Sequence, residues 1–231
     1  MIGILVPAHN EAAHIGACLA SLQAAARHPA LRGEPVQVVV ALDACSDATA
    51  WHCRLADVQT LSLDVRCVGA ARAAAADCLL AQGARWLAST DADSQVPPDW
   101  LAGQLDGSHD AFCGVVDLLA TSAEEQHLRR RLHQLERWGD GHGRIHGANL
   151  GVSARAYAGA GGFLPVPCHE DVALVERLRG CGARIHWAGA PCVLTSARRS
   201  GRAPEGFAAH LRALDACAVP LIAPDALDSA A

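Results

Sequence analysis

The sequence has no long hydrophobic run. A stretch of about 18 apolar residues would be needed to indicate a membrane-spanning helix, and none occurs in the 231 residues. The short apolar run at residues 2–6 has no positively charged leader before it, unlike a secretory signal. We therefore expect no integral membrane segment and a cytoplasmic location.

The sequence also lacks the charge and the cysteine spacing of several common protein classes. Its formal net charge is -5, whereas domains that bind nucleic acid are usually basic. Its ten cysteines include no C-x-x-C pair, and the adjacent Cys168 and His169 do not have the spacing of a structural zinc site. We therefore expect neither nucleic acid nor zinc as a partner, and we expect most cysteines to be small core residues.

The first half of the sequence alternates between apolar runs and amphipathic segments. Residues 36–42 are mostly apolar and β-branched, as in a strand that is covered on both faces of a parallel sheet. Ile15, Cys18, Leu19 and Leu22 recur with helical spacing. Such repeated units predict an α/β domain with a mostly parallel central sheet flanked by helices. Further strands are predicted at 2–6, 61–68 and 85–90, and further helices within 47–56 and at 70–81.

The second half is less regular, and no linker or internal repeat divides the chain. The apolar pattern predicts a strand at 111–119 and, further on, short strands at 184–187 and 192–195. Charged helices are predicted at 122–138 and 169–181.

Three of the four strands predicted in the first half end in polar side chains. Glu11 follows the first strand, Asp43 ends the second, and Asp91 and Asp93 follow the fourth. Parallel α/β sheets bind their ligands at the carboxyl ends of the strands. Mg²⁺ and Mn²⁺ are typically held by one or two carboxylates together with substrate phosphates. The alternative is that "DADS", which is soon followed by two prolines, is only a turn.

The chain resembles the family 2 glycosyltransferases over about residues 1–200. The segments "VPAHNEAAHI", "ALDACSDAT", "GAARAAAADCLL", "STDADS" and "HEDVALVERL" occur in the order and spacing of that family. The resemblance implies a GT-A fold with a Rossmann-like nucleotide-binding half. It also implies an enzyme that moves a sugar from a nucleotide-diphosphate donor to an unknown acceptor hydroxyl, with Mn²⁺ or Mg²⁺ and with inversion. We predict one domain over 1–231, with a nucleotide-binding half at 1–95, an acceptor half at 96–215 and a tail at 216–231.

The resemblance further implies which residues bind the donor. Glu11 and the backbone at Val6 and Pro7 would line the nucleoside pocket. Asp43 would contact the base or ribose, and Arg72 would lie near the nucleotide. Asp91 and Asp93 would contact the ribose, the diphosphate and the metal ion.

Three of these residues have an alternative role, and the chain differs from the family pattern at two positions. Glu11 could instead be an acid favoured by a helix dipole, Asp43 a turn residue, and Arg72 a solvated helix arginine. The family often has a second aspartate where this chain has Ala44, and commonly an asparagine where it has Ala73. The nucleotide base is therefore left open.

The predicted helix at 169–181 carries the candidate general base, Asp171. Helical spacing places it on one face with Leu174, Val175 and Leu178, whereas Glu170 lies off that face. We expect burial of this face to raise the pKa of Asp171 towards that of a useful base. In the family, the aspartate of this Glu-Asp pair deprotonates the acceptor hydroxyl. The alternative is capping of the helix.

Other candidates lie around the acceptor and the leaving group. The acceptor side is assigned to Gly147, Ala148, Asn149 and Glu170, although packing explains much of that segment equally well. Arg198 and Arg199 suit phosphate oxygens and would bind the departing diphosphate, and the alternative is a solvated charge run that includes Arg202. A late histidine, from among His169, His186 and His210, could complete the metal site. The trio Arg129 to Arg131 is interpreted as surface charge or as an acceptor rim.

Two other functions compete with glycosyl transfer. A nucleotidyltransferase would use aspartate-bound metal on a similar sheet, but it normally has a glycine-rich loop after its first strand, where this chain has "PAHNE". A non-catalytic nucleotide-sugar binding domain is suggested by Ala44 and Ala73. A dinucleotide-binding oxidoreductase is disfavoured because no G-x-G-x-x-G follows a strand.

Overall fold

Eight strands form one mixed sheet in the computed structural model of the protein, which describes residues 1–199, 201 and 206–216. The strands are β1 Ile2–Ala8, β2 Val36–Asp43, β3 Gln59–Leu63, β4 Trp86–Ser89, β5 Ser94–Gln95, β6 Ala111–Leu119, β7 Leu150–Ser153 and β8 Ile185–Ser196. Their order across the sheet is β3-β2-β1-β4-β7-β6-β8-β5. The first four are parallel, β7 runs antiparallel to both neighbours, β6 and β8 are again parallel, and β5 is antiparallel to β8.

Helices cover both faces of the sheet. They are α1 Ile15–Ala26, α2 Thr49–Leu55, α3 Val68–Ala81, α4 Trp100–Leu105, α5 Ala123–Leu135, α6 Ala154–Gly159, α7 Glu170–Gly180 and α8 Phe207–Ala216. The cluster on one face includes side chains of α1, α2 and α4, and the cluster on the other includes those of α3, α6 and α7. A third cluster joins α5 and α8 to Leu118 of β6. This α/β/α layering is the predicted fold class, with a mostly parallel sheet.

Small residues bring α3 close to the sheet. Ala71, Ala75 and Ala76 of α3 are fully buried in the cluster that contains Leu5 and Val39. Short side chains let a helix backbone approach the strands, which keeps the beginning of α3 near the carboxyl ends of β1, β2 and β4. The alanine-rich sequence of α3 thus positions the residues that α3 contributes to the cleft described below.

Several predicted elements are confirmed and others need correction. The strand at 111–119 has its predicted bounds, and α3 begins two residues before the predicted 70–81. The strand predicted at 61–68 ends at Leu63, because residues 65–67 turn towards the carboxylate of Asp43. The two strands predicted at 184–187 and 192–195 are one strand, whose register with β6 is irregular between Gly114 and Val116.

Of the predicted tail at 216–231, Ala216 ends α8 and the remainder lies outside the described residues, as does Arg202. In the part of the chain that the structure describes, no helix has the length and apolar character needed to cross a membrane.

Candidate active site

A cleft of about 810 Å³ lies at the carboxyl ends of β1, β2 and β4. Its walls come from the loops after these strands, from α3 and α7, from the loop before β7, and from the segment after β8. Eleven of the predicted site residues line it, namely Pro7, Glu11, Asp43, Arg72, Asp91, Asp93, Gly147, Ala148, Glu170, Asp171 and Arg198. The fold therefore brings acids from both halves of the sequence to one cavity.

Arg72 of α3 ties the acidic segments together. Its Nη2 donates to Asp91 Oδ1 at 2.6 Å, and its Nε donates to Glu170 Oε1 at 2.9 Å. Its Nη1 donates to the carbonyl of Gly147 at 3.1 Å and to the hydroxyl of Ser89. The side chain is buried, so the solvated-arginine interpretation is wrong. Burial alone would lower the pKa of Arg72, but the neighbouring acids raise it above its ordinary value.

The approach of Gly147 to Arg72 requires a glycine. A Cβ atom at position 147 would lie 2.5 Å from Nη2 of Arg72, far inside van der Waals contact. The amide of Gly147 also donates to Asp171 Oδ2 at 2.6 Å. A continuous series of hydrogen bonds therefore links Asp91 to Asp171 through Arg72 and Gly147.

A second group of charges surrounds Asp93. Arg198 Nη2 forms an ion pair with Asp93 Oδ2 at 2.9 Å, and Nη1 donates to Glu11 Oε1 at 2.8 Å. Burial, together with the negative charge of Asp91, raises the pKa of Asp93 to about 6, although Arg198 acts in the opposite direction. Glu11 is thus part of a charged cluster at the cleft and is not only a helix-terminal acid.

The carboxylate of Asp43 is held by the loop before α3. Its Oδ1 accepts hydrogen bonds from the amides of Val65 and Arg66 at 2.8 and 2.9 Å, and its Oδ2 accepts one from Cys67 at 2.8 Å. Burial would raise its pKa, but these three donors bring it below its ordinary value. Asp43 therefore organises the loop wall of the cleft, as a turn residue would, and its contact with a base or ribose stays a prediction.

The first turn of α7 corrects the expected burial of the acidic pair. Glu170, not Asp171, is buried with Leu174, Val175 and Leu178, because the buried guanidinium of Arg72 draws its carboxylate inward. Burial raises the pKa of Glu170 above its ordinary value, and the ion pair with Arg72 offsets this only in part. Asp171 is half-buried and faces the cleft from the same turn.

Three predicted site residues do not line the cleft. Val6 lies inside the sheet, one residue before the cleft wall begins at Pro7. Asn149 is fully buried. Its side-chain Nδ2 donates hydrogen bonds to the carbonyls of Val115 and Pro191, and its Oδ1 accepts one from the indole of Trp100. Arg199 points to α8, where its Nε lies 3.3 Å from Asp215.

Of the candidate histidines and the basic trio Arg129 to Arg131, some residues line the cleft and others do not. His169 and His210 line the cleft, whereas His186 packs against the rings of Phe112 and His109 away from it. Arg129 forms an ion pair with the buried Asp117, and no member of the Arg129 to Arg131 trio lines the cleft.

Apart from His210, one wall of the cleft was not predicted from the sequence. It is formed by Glu136, Arg144, His146, Phe207 and His210. Glu136 forms an ion pair with Arg144 and accepts a hydrogen bond from His210 Nε2 at 2.5 Å. Burial and the positive charges of its neighbours lower the pKa of His146 to about 3, so its ring is neutral. Of the four residues other than His210, only Glu136 lies in a predicted charged helix, so its charge was the one signal available for them.

Backbone strain also concentrates around the cleft. Asn10, Ala44, Arg66 and His169 all have φ between 49° and 60°, a left-handed conformation that residues with side chains rarely adopt. Such residues cluster at functional sites, where surrounding contacts hold them. Each lies next to a residue that lines the cleft or lines it itself, so the sharp turns there belong to the construction of the site.

The fold is that of the GT-A glycosyltransferases. The model of the family described as "Glycosyl transferase family 2" matches residues 3–160, which is more than half of the chain, and the chain belongs to this family. A nucleotidyltransferase is thereby disfavoured. Among curated proteins, none matches the sequence.

Solved structures of glycosyltransferases share the fold. TarS of S. aureus, in complex with UDP-GlcNAc, has a TM-score of 0.66 at 14% identity, covering 89% of this chain and 61% of that one. Mannosyltransferase PcManGT from Pyrobaculum calidifontis, in complex with GDP-Man and Mn²⁺, has a TM-score of 0.62 at 19% identity, covering 87% and 58%. Glucosyl-3-phosphoglycerate synthase from Mycobacterium tuberculosis, in complex with Mn²⁺, UDP and phosphoglyceric acid, has a TM-score of 0.55 at 19% identity, covering 80% and 66%. The chain spans less than two thirds of each of these proteins.

Proposed function

We propose that the protein transfers a sugar from a nucleotide-diphosphate donor to an acceptor hydroxyl, with inversion at the transferred carbon. The observation that carries this proposal is that Asp91, Asp93 and Asp171 line one cleft and that Arg72 and Gly147 connect two of them. Family membership and the nucleotide sugars bound by TarS and PcManGT support the donor class.

The donor end of the cleft is formed by the loops after β1 and β2. Pro7, Glu11 and Asp43 line it, together with Arg66 and Cys67 of the loop that Asp43 holds. These groups offer backbone and carboxylate contacts to a nucleoside. They do not single out one base, so uridine, guanosine and thymidine diphosphate sugars all belong in the first screen.

Asp91 and Asp93 are residues of the type that would hold a divalent cation beside the donor diphosphate. Asp91 and Asp93 supply the oxygen ligands that Mg²⁺ and Mn²⁺ prefer, and the Asp91 side chain is 38% exposed at the cleft. Among the described residues, no group of three or more His, Cys, Asp or Glu side chains is placed to hold a metal. The two aspartates would therefore hold the cation together with diphosphate oxygens, and it would neutralise charge on the leaving group.

Asp171 is proposed as the general base. The amide of Gly147 fixes Oδ2 of its carboxylate at 2.6 Å, which orients the acid towards the cleft. The carboxylate takes the proton of the acceptor hydroxyl while that oxygen attacks the sugar carbon from the side opposite the diphosphate. Arg198 also lines the cleft, and its guanidinium would stabilise the charge on the departing diphosphate.

The proposal is tested first by donor binding. Nucleotide sugars of the three base types are screened by thermal denaturation, with and without Mn²⁺. A donor present at about a hundred times its dissociation constant should stabilise the protein by about 2.7 kcal/mol. Asp93→Ala should lose the Mn²⁺-dependent part of this stabilisation, whereas the exposed Asp99→Ala should keep it.

Each outcome has a distinct meaning. Absence of stabilisation by every donor would contradict the proposed function, and equal stabilisation of the Asp93→Ala variant would remove the metal role of Asp93. A non-catalytic binding domain would bind a donor without releasing nucleoside diphosphate from it.

A further inference from the structure

Arg198 joins two carboxylates that come from distant parts of the chain. It lies two residues beyond the end of β8, Glu11 lies in the loop after β1, and Asp93 lies in the loop after β4. The guanidinium places Nη1 at 2.8 Å from Glu11 Oε1 and Nη2 at 2.9 Å from Asp93 Oδ2. It therefore stands between two of the acids at the donor end of the cleft.

Both acids are well shielded from water, so their charges need a nearby counter-charge. The side chains of Glu11 and Asp93 are only 4% and 9% exposed, whereas Arg198 is 33% exposed. The guanidinium of Arg198 contacts both of these shielded carboxylates. Arg198 thus supplies positive charge at the place where a cation bound to Asp93 would supply it.

The remaining oxygens of the two acids also have partners. Asp93 Oδ1 lies 3.4 Å from the hydroxyl of Thr195, and Glu11 Oε2 lies 3.1 Å from Nδ1 of His14. A divalent cation at Asp93 would have to replace the contact with Oδ2 and would also be repelled by the guanidinium. In this arrangement Arg198 and a cation cannot both be favourable at Asp93.

Arginine has a better alternative partner once a diphosphate enters the cleft. The planar guanidinium matches phosphate oxygens with two parallel hydrogen bonds. We propose that Arg198 and the divalent cation exclude each other at Asp93, so that the cation binds only together with a nucleoside diphosphate group, which draws the guanidinium away from Asp93 and Glu11. The inference rests on the proposed function and adds an order of binding to it.

Arg199 provides a matched control because it is also an arginine, next in sequence, but its side chain points away from the cleft. Its Nε pairs with Asp215 of α8 at 3.3 Å, and the residue does not line the cleft. Replacing it removes the same charge from the neighbouring position without touching Asp93 or Glu11.

The test measures Mn²⁺ binding to the purified protein in the absence of any nucleotide. The electron paramagnetic resonance signal of free aqueous Mn²⁺ reports the bound fraction for wild type, Arg198→Gln, Arg198→Lys and Arg199→Gln. We expect Arg198→Gln to bind Mn²⁺ about tenfold or more tightly than the other three proteins, because only it loses the positive charge at Asp93. Adding UDP or GDP should then make wild type bind Mn²⁺ as well.

Two results would overturn the inference. One is wild type that binds Mn²⁺ without nucleotide as tightly as with it, a measurement that needs no variant to fold. The other is a folded Arg198→Gln protein that gains no Mn²⁺ affinity over Arg199→Gln. Neither result touches glycosyl transfer, which is tested separately by donor stabilisation and by nucleoside diphosphate release.

Discussion

At the scale of single residues, Asp43 shows how one side chain can shape the wall of a binding cleft. Its two carboxylate oxygens accept three backbone hydrogen bonds from residues 65–67. Arg66, the middle residue of this loop, has a φ of 49°. The carboxylate therefore holds a strained turn that leads directly into α3.

Asp43→Asn should destabilise the protein by about 1–3 kcal/mol near neutral pH, because a charged acceptor of three hydrogen bonds is replaced by a neutral amide. The pKa of Asp43 is lower in the folded protein than its ordinary value of 3.8. Its contribution is therefore present above pH 3.8 and is lost as the pH falls through the lower, folded-state pKa. Urea unfolding of both proteins at pH 7, pH 5 and below 3.8 measures this.

The stability difference should be equal at pH 7 and pH 5 and should shrink only in the most acidic samples. A difference that already disappears by pH 5 would show that the carboxylate is not held as described.

Some features of the site could be predicted from the sequence, and others could not. The acids at the strand ends were predicted from their positions, and the structure brings them to one cleft. The burial of Glu170 was not predicted, because helical spacing alone cannot show that a buried arginine on α3 faces that side of α7. The inward orientation of Asn149 depends on Trp100, Val115 and Pro191, which are distant in sequence.

At the scale of elements, α3 and α7 meet through the ion pair between Arg72 and Glu170. Both side chains are buried, and Arg72 also pairs with Asp91 in the loop after β4. The pair fixes the beginning of α7, which carries Asp171, relative to the aspartates of "DADS". Helix placement and the geometry of the acids are therefore coupled.

Arg72→Met should destabilise the protein by about 3–5 kcal/mol, because it leaves Glu170 and Asp91 without their buried counter-charge. Arg85→Met is the matched control, since Arg85 makes a two-pronged ion pair with Glu34 but is largely exposed. It should cost about 1 kcal/mol or less. Urea unfolding of the two variants gives both values, and equal losses would argue against a structural role for the Arg72 network.

Elements with strong local patterns were predicted well, and those defined by tertiary contacts were not. The apolar run of β6 and the alanine-rich α3 each carry their own signal. The short β5 and β7 have four residues or fewer and become strands only by pairing with β8, and with β4 and β6. Gly189 and Pro191 interrupt the pattern of β8, so one strand looked like two.

At the scale of the whole molecule, the sheet order explains why both halves of the chain contribute to one cleft. The parallel strands β3-β2-β1-β4 place their carboxyl ends at one edge, and β7 continues the sheet from β4 into the second half. The loop before β7 then reaches Arg72, and the segment after β8 reaches Asp93 and Glu11. The position of the cleft was predictable from the polar residues at the carboxyl ends of the parallel strands, whereas the reach of Arg198 from beyond β8 was not.

One wall of the cleft that Asp171 lines is formed by Glu136, Arg144, His146, Phe207 and His210. Glu136 joins Arg144 and His210, and His146 is neutral beside Phe207. Arg144 and His146 lie within three residues of Gly147, whose amide donates to the proposed base Asp171.

The central claim is that Asp171 activates the attacking hydroxyl in the cleft that binds the donor. The most direct measurement is the rate at which saturating donor releases nucleoside diphosphate, with water as the default acceptor, for wild type, Asp171→Asn and the exposed control Glu176→Gln. We predict that Asp171→Asn binds the donor as tightly as wild type but releases the diphosphate about 10²–10⁴-fold more slowly, and that Glu176→Gln matches wild type. Equal release rates for wild type and Asp171→Asn would contradict the account.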